Sequence, residues 1–258
     1  LKKAKEKAEI DRRSKTEFLA YVCQEMRTAL NNIIGFSQVM RDQLYGPIEN
    51  RKYRQYSADI YKTGNTLLSH MQDLLTLSKI ETGYVELSEK PQDVASVINK
   101  VLRFIADKLQ SENLNVRLKL QEPLPRIIAD EFRLQQMLMN LMLHILQHML
   151  PDQTLTCEVR LISEGKEKPY FVFIISNDPQ LNTNAADLLK LVNTLQNDAR
   201  TNINVDTSTQ SRTDLCIELA RSLVELHHGY MDTQWSGTNT VTITVFFTSS
   251  RIMLGEDA

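Results

Sequence analysis

Two long stretches free of interior proline most constrain how this chain can fold. Residues 1 to about 44 carry apolar side chains at Phe18, Val22, Met26, Ala29, Ile33, Phe36 and Met40, in steps of three and four. That is the repeat of one helix face. Gly46-Pro47 breaks the pattern, and a second run from about Arg51 to Ile80 repeats it with Tyr53, Tyr56, Ile60, Leu67, Leu68, Met71, Leu74, Leu75 and Leu77. Two such helices form an antiparallel hairpin, which cannot hide both stripes by itself. A second copy completes a four-helix bundle, so a homodimer is expected.

The 258 residues, 42% of them hydrophobic, suffice for one large domain or two modest ones. A formal charge of −2 gives no drive towards bulk nucleic-acid binding. No apolar run approaches the roughly 18–20 residues that span a bilayer. No secretory pattern opens the chain, and the expected location is cytoplasmic. The charged start, Leu1-Lys2-Lys3-Ala4-Lys5-Glu6, reads as mid-helix, so an upstream domain is expected. Cys23, Cys157 and Cys216 lack metal or redox spacing and read as buried, reduced thiols.

Composition changes at Pro91. Asp93 to Gln110 is amphipathic and helical, and Leu114 to Leu120 alternates as a half-buried strand. Pro123 and Pro125 make a turn before a helix from about Glu131 to Met149. Leu155–Ile162, Tyr170–Ser176, Tyr230–Trp235 and Thr240–Phe247 read as strands. Asp214–His227 reads as a helix stopped by Gly229. The order predicts an α/β sandwich with helices on one face.

The run Phe18-Leu19-Ala20-Tyr21-Val22-Cys23-Gln24-Glu25-Met26-Arg27-Thr28-Ala29-Leu30 closely resembles the phosphoacceptor helix of two-component sensor histidine kinases, F-L-A-x-x-S-H-E-[LM]-R-T-P-L. Leu74-Leu75-Thr76-Leu77-Ser78-Lys79-Ile80-Glu81-Thr82-Gly83 resembles that family's L-L-x-L-S-K-I-E-x-G. The remainder is similar, more weakly, to the ATP-binding domain that histidine kinases share with gyrase B and MutL. The resemblance implies an α+β fold: a dimeric helical-hairpin (four-helix bundle) domain followed by a GHKL-type, ATPase-like α/β sandwich. Expected boundaries are 1–13 for an incoming coiled-coil helix, 14–83 for the hairpin, 84–250 for the sandwich and 251–258 for a tail.

Against that family the catalytic chemistry is missing. Gln24 stands at the phosphoacceptor histidine, and an amide nitrogen, its lone pair delocalised into the carbonyl, cannot attack a γ-phosphate. Asn140-Leu141-Met142-Leu143-His144-Ile145-Leu146-Gln147-His148 aligns with the asparagine box N-L-L-x-N-A-x-K-[FY]. There Asn140 survives, His144 replaces the Mg²⁺-binding asparagine and Gln147 the phosphate-contacting lysine. His144 and His148 have i, i+4 spacing, but no third metal ligand follows, so no metal site is expected. Asn177 or Asp178 could mimic the adenine-binding aspartate of D-x-G-x-G, whose glycines are absent. Asp214 and Cys216 stand in the phosphate turn G-T-G-L-G-L. Between Gly165 and Gly229 there is no glycine, and 182–211 lacks the lid's phenylalanine box.

ATP and Mg²⁺ are therefore expected to bind weakly or not at all. The expectation is a pseudokinase that binds a response-regulator receiver domain or a related kinase. An active kinase, a phosphotransferase or a phosphatase is the alternative. In the family the neighbours retained here as Glu25 and Thr28 serve as base and as water-orienting group. Ala29, at the family's kinking proline, implies a straighter first helix. His70 reads as structural, at the bundle or its rim, and Trp235 as packed on the sheet.

Overall fold

The computed structural model describes the backbone of residues 2–163, 168–181, 183–201, 215–237 and 239–253, and side chains from residue 19 on, residues 198–201 excepted. The chain divides into two compact units, Leu1–Val85 and Glu86–Ala258.

The first unit is a helical hairpin, α1 (Lys2–Arg41) and α2 (Arg51–Glu81). With alanine at 29, α1 runs through that position without a break. Asn50 caps α2, accepting the Lys52 N–H at 2.9 Å. Gly83, at φ +73°, ends α2 in a left-handed turn. The Gly83 N–H bonds Ile80 O and the Tyr84 N–H bonds Lys79 O, each at 2.9 Å, as a Schellman motif requires.

Packing within the hairpin follows heptads. Cys23, Leu30 and Ser37 of α1 are buried, as are Ser57, Gly64, Met71 and Ser78 of α2. A Cβ on Gly64 would lie 2.8 Å from Ile34 Cγ1, so the glycine sets how closely the helices approach. A second heptad series runs beside the first. Met26, Ile33 and Met40 on α1, and Tyr53, Ile60, Leu67 and Leu74 on α2, are exposed in the single chain. Each helix thus carries the two interleaved positions of a coiled-coil repeat, one satisfied inside the hairpin and one facing out.

The second unit holds two sheets. β1 (Glu89–Gln92), β3 (Arg126–Asp130) and β8 (Ile252–Met253) form a small antiparallel sheet in the order β1-β3-β8. The main sheet has the order β2-β4-β5-β7-β6, from β2 (Asn115–Leu120), β4 (Thr154–Ile162), β5 (Tyr170–Ser176), β6 (Tyr230–Ser236) and β7 (Thr240–Phe247). Only the β2–β4 pair is parallel; the other ladders of the main sheet are antiparallel. Ile252–Met253 fall in the segment expected as a tail, yet they pair with β3. Beside them buried Arg251 forms an ion pair with Glu89.

α3 (Val94–Ser111), α4 (Glu131–Leu146) and α6 (Leu215–Leu226) pack together as one layer. α3 turns Val94, Val97, Ile98, Val101, Ile105 and Leu109 inward, starting from an Asp93 cap. Phe171, Phe173 and Phe247 lie on one face of the main sheet, where Phe247 meets Phe173 and His227 at the end of α6.

One further helix was not expected. α5 (Ala185–Thr201) covers the opposite face of the sheet. Its Leu188 and Val192 pack into Ile162, Val172, Ile174 and Phe246, which alternate with the phenylalanines of the first face. Arg160 on β4 donates to the Thr183 carbonyl and hydroxyl before α5, and the Gln196 side chain donates to the Tyr170 hydroxyl at 2.7 Å. The sandwich therefore carries helices on both faces, not one.

Candidate functional site

In the hairpin unit, Gln24, Glu25 and Thr28 are all exposed on α1. Arg27 reaches the Gln24 side-chain oxygen at 3.5 Å, and the Thr28 hydroxyl donates to the Gln24 carbonyl at 3.3 Å. Cys23, beside Gln24, is buried at the hairpin interface. The solvent-facing group at this position is thus a carboxamide with a guanidinium alongside it. His70, expected at the bundle or its rim, is exposed.

In the sandwich, the residues aligned with nucleotide contacts lie on three elements. α4 begins at Asp130, whose carboxylate accepts the Arg133 N–H at 3.1 Å and the Ser88 N–H at 2.9 Å. Near the other end of α4, Asn140 and His144 are buried, while Gln147 is exposed at the C-cap. Cys216 is buried in the first turn of α6. Asp214 lies outside the described residues.

Asn177 follows β5 and is 2% exposed. Its Oδ1 accepts the Val241 N–H at 2.8 Å and its Nδ2 donates to the Asn239 carbonyl at 2.7 Å. Both ends of the carboxamide thus clip β5 to the β6–β7 hairpin. Ser176 adds a bond to the Val241 carbonyl at 3.0 Å. The Asp178 carboxylate accepts the Gln180 N–H at 2.9 Å and shapes the following turn.

Trp235 is the member of this region that the aligned positions do not reveal. Its ring centroid is 4.8 Å from that of His148 and 5.9 Å from that of His144, both edge-to-face. The two imidazoles are themselves 5.0 Å apart. Trp235 does not simply lie on the sheet; it reaches from the end of β6 to the end of α4. Among the described residues no three metal-ligating side chains converge.

Two further groups are fixed in their neutral forms. Burial lowers the His227 pKa; its Nδ1–H donates to Leu223 O at 2.8 Å, and its Nε2 accepts the Asp130 N–H at 3.3 Å. The ring thereby ties the end of α6 to the start of α4. Burial pushes the Cys157 thiol up to about 12, which leaves it protonated and inert.

Residues 14–83 match the His Kinase A (phospho-acceptor) domain. Over 153 residues, 59% of this chain, the sequence is 36% identical to the cell-division control histidine kinase PdhS of Brucella ovis. The Brucella canis PdhS is 36% identical over 151 residues. These matches span about 15% of the relatives' length. Among solved structures, full-length ShkA in complex with AMPPNP aligns with a TM-score of 0.62 at 20% identity, covering 93% of this chain and 47% of that one. The Acinetobacter baumannii histidine kinase AdeS aligns with a TM-score of 0.56 at 18% identity, covering 88% and 98%. The fold is that of histidine kinases, a phosphoacceptor-type hairpin followed by a GHKL-like sandwich. None of the described helices is long and apolar enough to cross a membrane.

Proposed function

We propose that this chain is a two-component signalling protein that dimerises through its hairpin and binds a receiver domain or a kinase of the same architecture, in the cytoplasm, without phosphorylation at Gln24. The observation that carries the reading is an exposed carboxamide at the phosphoacceptor position of an otherwise well-formed hairpin. An amide is a poor nucleophile at phosphorus, whereas docking of a partner is mainly apolar packing with a polar rim and does not need the imidazole. The outward heptad series of Met26, Ile33, Met40, Ile60, Leu67 and Leu74 supports a second copy as the partner that completes the bundle.

The sandwich residues do not fit ATP with Mg²⁺. Asn177 is committed to the hairpin by both ends of its side chain. An imidazole, His144, stands at the metal-ligand position, and imidazole suits zinc or copper better than Mg²⁺. On this reading the unit is a scaffold without an energy source, and no catalytic step is assigned to it.

The test pairs binding with assembly. A panel of purified receiver domains and kinase hairpins is titrated with the chain, and the same protein is examined by sedimentation. The expected result is a dimer that captures at least one of them. The double variant Gln24→Lys, Glu25→Lys should lose capture while remaining dimeric, because both residues are exposed and off the outward heptad series. A monodisperse monomer at micromolar concentration contradicts the dimer. Capture unaffected by the double variant contradicts the proposed surface.

A further inference from the structure

We infer that Trp235 is an internal plug: clasped by His144 and His148, its indole occupies the space beside the C-terminal end of α4 that a nucleotide would need. The inference deepens the reading that the sandwich takes no ATP and rests on it. Three observations carry it. First, Trp235 is placed on the face of the main sheet that meets α4 and α6, not the face covered by α5. It pairs with Val241 across the β6–β7 ladder. Paired residues share a face, and side chains alternate along a strand. Val241, Ile243, Val245 and Phe247 therefore lie on one face, the one on which Phe247 meets Phe173 and His227.

Second, the plug stands at the end of the sheet where Asn177 is anchored. Val241, its cross-strand partner, is the residue whose N–H is held by Asn177. Asn177, one of the two residues that could stand for the adenine-binding aspartate, is thus joined to the strand partner of the indole, and His144, at the Mg²⁺-binding position, meets the indole directly. Third, the three rings form a closed set. Each of the pairs Trp235–His144, Trp235–His148 and His144–His148 is within 6 Å between centroids and edge-to-face. That is the favourable geometry for aromatic pairs. Trp235 is 43% exposed and His144 5% exposed, so the indole closes over the deeper imidazole. A ligand reaching His144 from the Trp235 side has to displace the indole first.

Trp235 is the chain's sole tryptophan, so it reports on itself. The probe is ADP with Mg²⁺, titrated by calorimetry and by ligand-detected NMR into the wild-type chain and into Trp235→Ala, whose fold is checked by thermal melting. Removal of the plug is expected to tighten ADP binding roughly tenfold or more relative to wild type. Equal or weaker binding by a folded Trp235→Ala overturns the plug. Should that variant fail to fold, Trp235→Ser on the same solvent-accessible edge strand is read by the same criterion. The wild-type emission spectrum is a second, independent readout. If the wild type binds ADP tightly and its indole emission shifts to the red, the plug is displaceable and stands, while the reading above fails. Tight binding that leaves the emission unchanged overturns both.

Discussion

Replacing Asn177 with aspartate is expected to destabilise the sandwich by about 3 kcal/mol, although aspartate is the residue that the D-x-G-x-G resemblance implies at 177 or 178. The Asn177 Nδ2 donates to the Asn239 carbonyl at 2.7 Å, and the residue is 2% exposed. In the aspartate variant an oxygen faces that carbonyl oxygen, and a charge is buried without a cation within the clip. The other half of the clip, the Val241 N–H to Oδ1 bond, survives. Protonation would let the new carboxyl donate in place of Nδ2, so its folded-state pKa should lie above the unfolded value. A raised pKa makes the deficit largest at neutral pH, with stability recovering as pH falls through the folded value. Thermal melts of both proteins from pH 7.5 downward check this; a deficit independent of pH would contradict the hydrogen-bond account.

Gly229→Val is the second large effect. A Cβ at Gly229 would stand 2.7 Å from the Phe246 carbonyl oxygen, 2.9 Å from Val224 Cγ1 and 3.0 Å from Phe247 Cδ1. Phe246 cannot yield, because it is paired with Val172 on one side and Tyr230 on the other. Overpacking against fixed backbone should cost about 3 kcal/mol or more, and valine adds two further methyl groups. For a unit of this size that lowers the melting temperature by roughly 6–12 °C. Gly229→Ala should fall between the two. A valine variant melting like the wild type would mean that α6 and β6 are joined more loosely than the geometry states.

The glycine also illustrates how sequence and structure diverge. Gly229 reads as the residue that stops α6 through a left-handed turn, but the left-handed residue is His228, at φ 56°. His228 N–H bonds Glu225 O at 2.8 Å and Gly229 N–H bonds Val224 O at 2.9 Å, a Schellman ending with histidine in the usual glycine place. Glycine is required one residue later, for space beside β7, which no local pattern announces. The hairpin was far more legible, because heptads are local. The outward series through Ile33 and Leu67 can be counted in the sequence, whereas the buried α1 series through Leu30 and Ser37 falls outside the stripe read there, whose Phe36 is exposed.

α5 was missed for a different reason. The stretch 182–211 is read only for the lid's phenylalanine box, which it lacks. Yet Leu188, Leu189, Leu191, Val192 and Leu195 have helical spacing. Asn184 caps them, accepting the Asp187 N–H at 2.8 Å and donating to its carboxylate at 2.7 Å. β1 and β8 were not legible, since four and two residues carry no usable period and β1 contains Pro91 at an edge. In the candidate site the aligned positions were readable, but the side chains' commitments were not. That Asn177 spends its amide on the β6–β7 hairpin, and that Trp235 reaches His148, follow from contacts about 60 to 90 residues apart in the chain.

On the proposed reading, signalling by this chain does not pass through its own phosphorylation, because Gln24 stands at the acceptor position and the sandwich is expected to take no ATP. The direct measurement is incubation of the Gln24→His chain with γ-labelled ATP and Mg²⁺, followed by recovery of acid-labile, base-stable phosphate on residue 24. Restoring the imidazole repairs only the acceptor, so the account predicts no incorporation above the wild-type background. Stoichiometric labelling of His at position 24 would contradict it, and would make the chain a kinase lacking a single side chain.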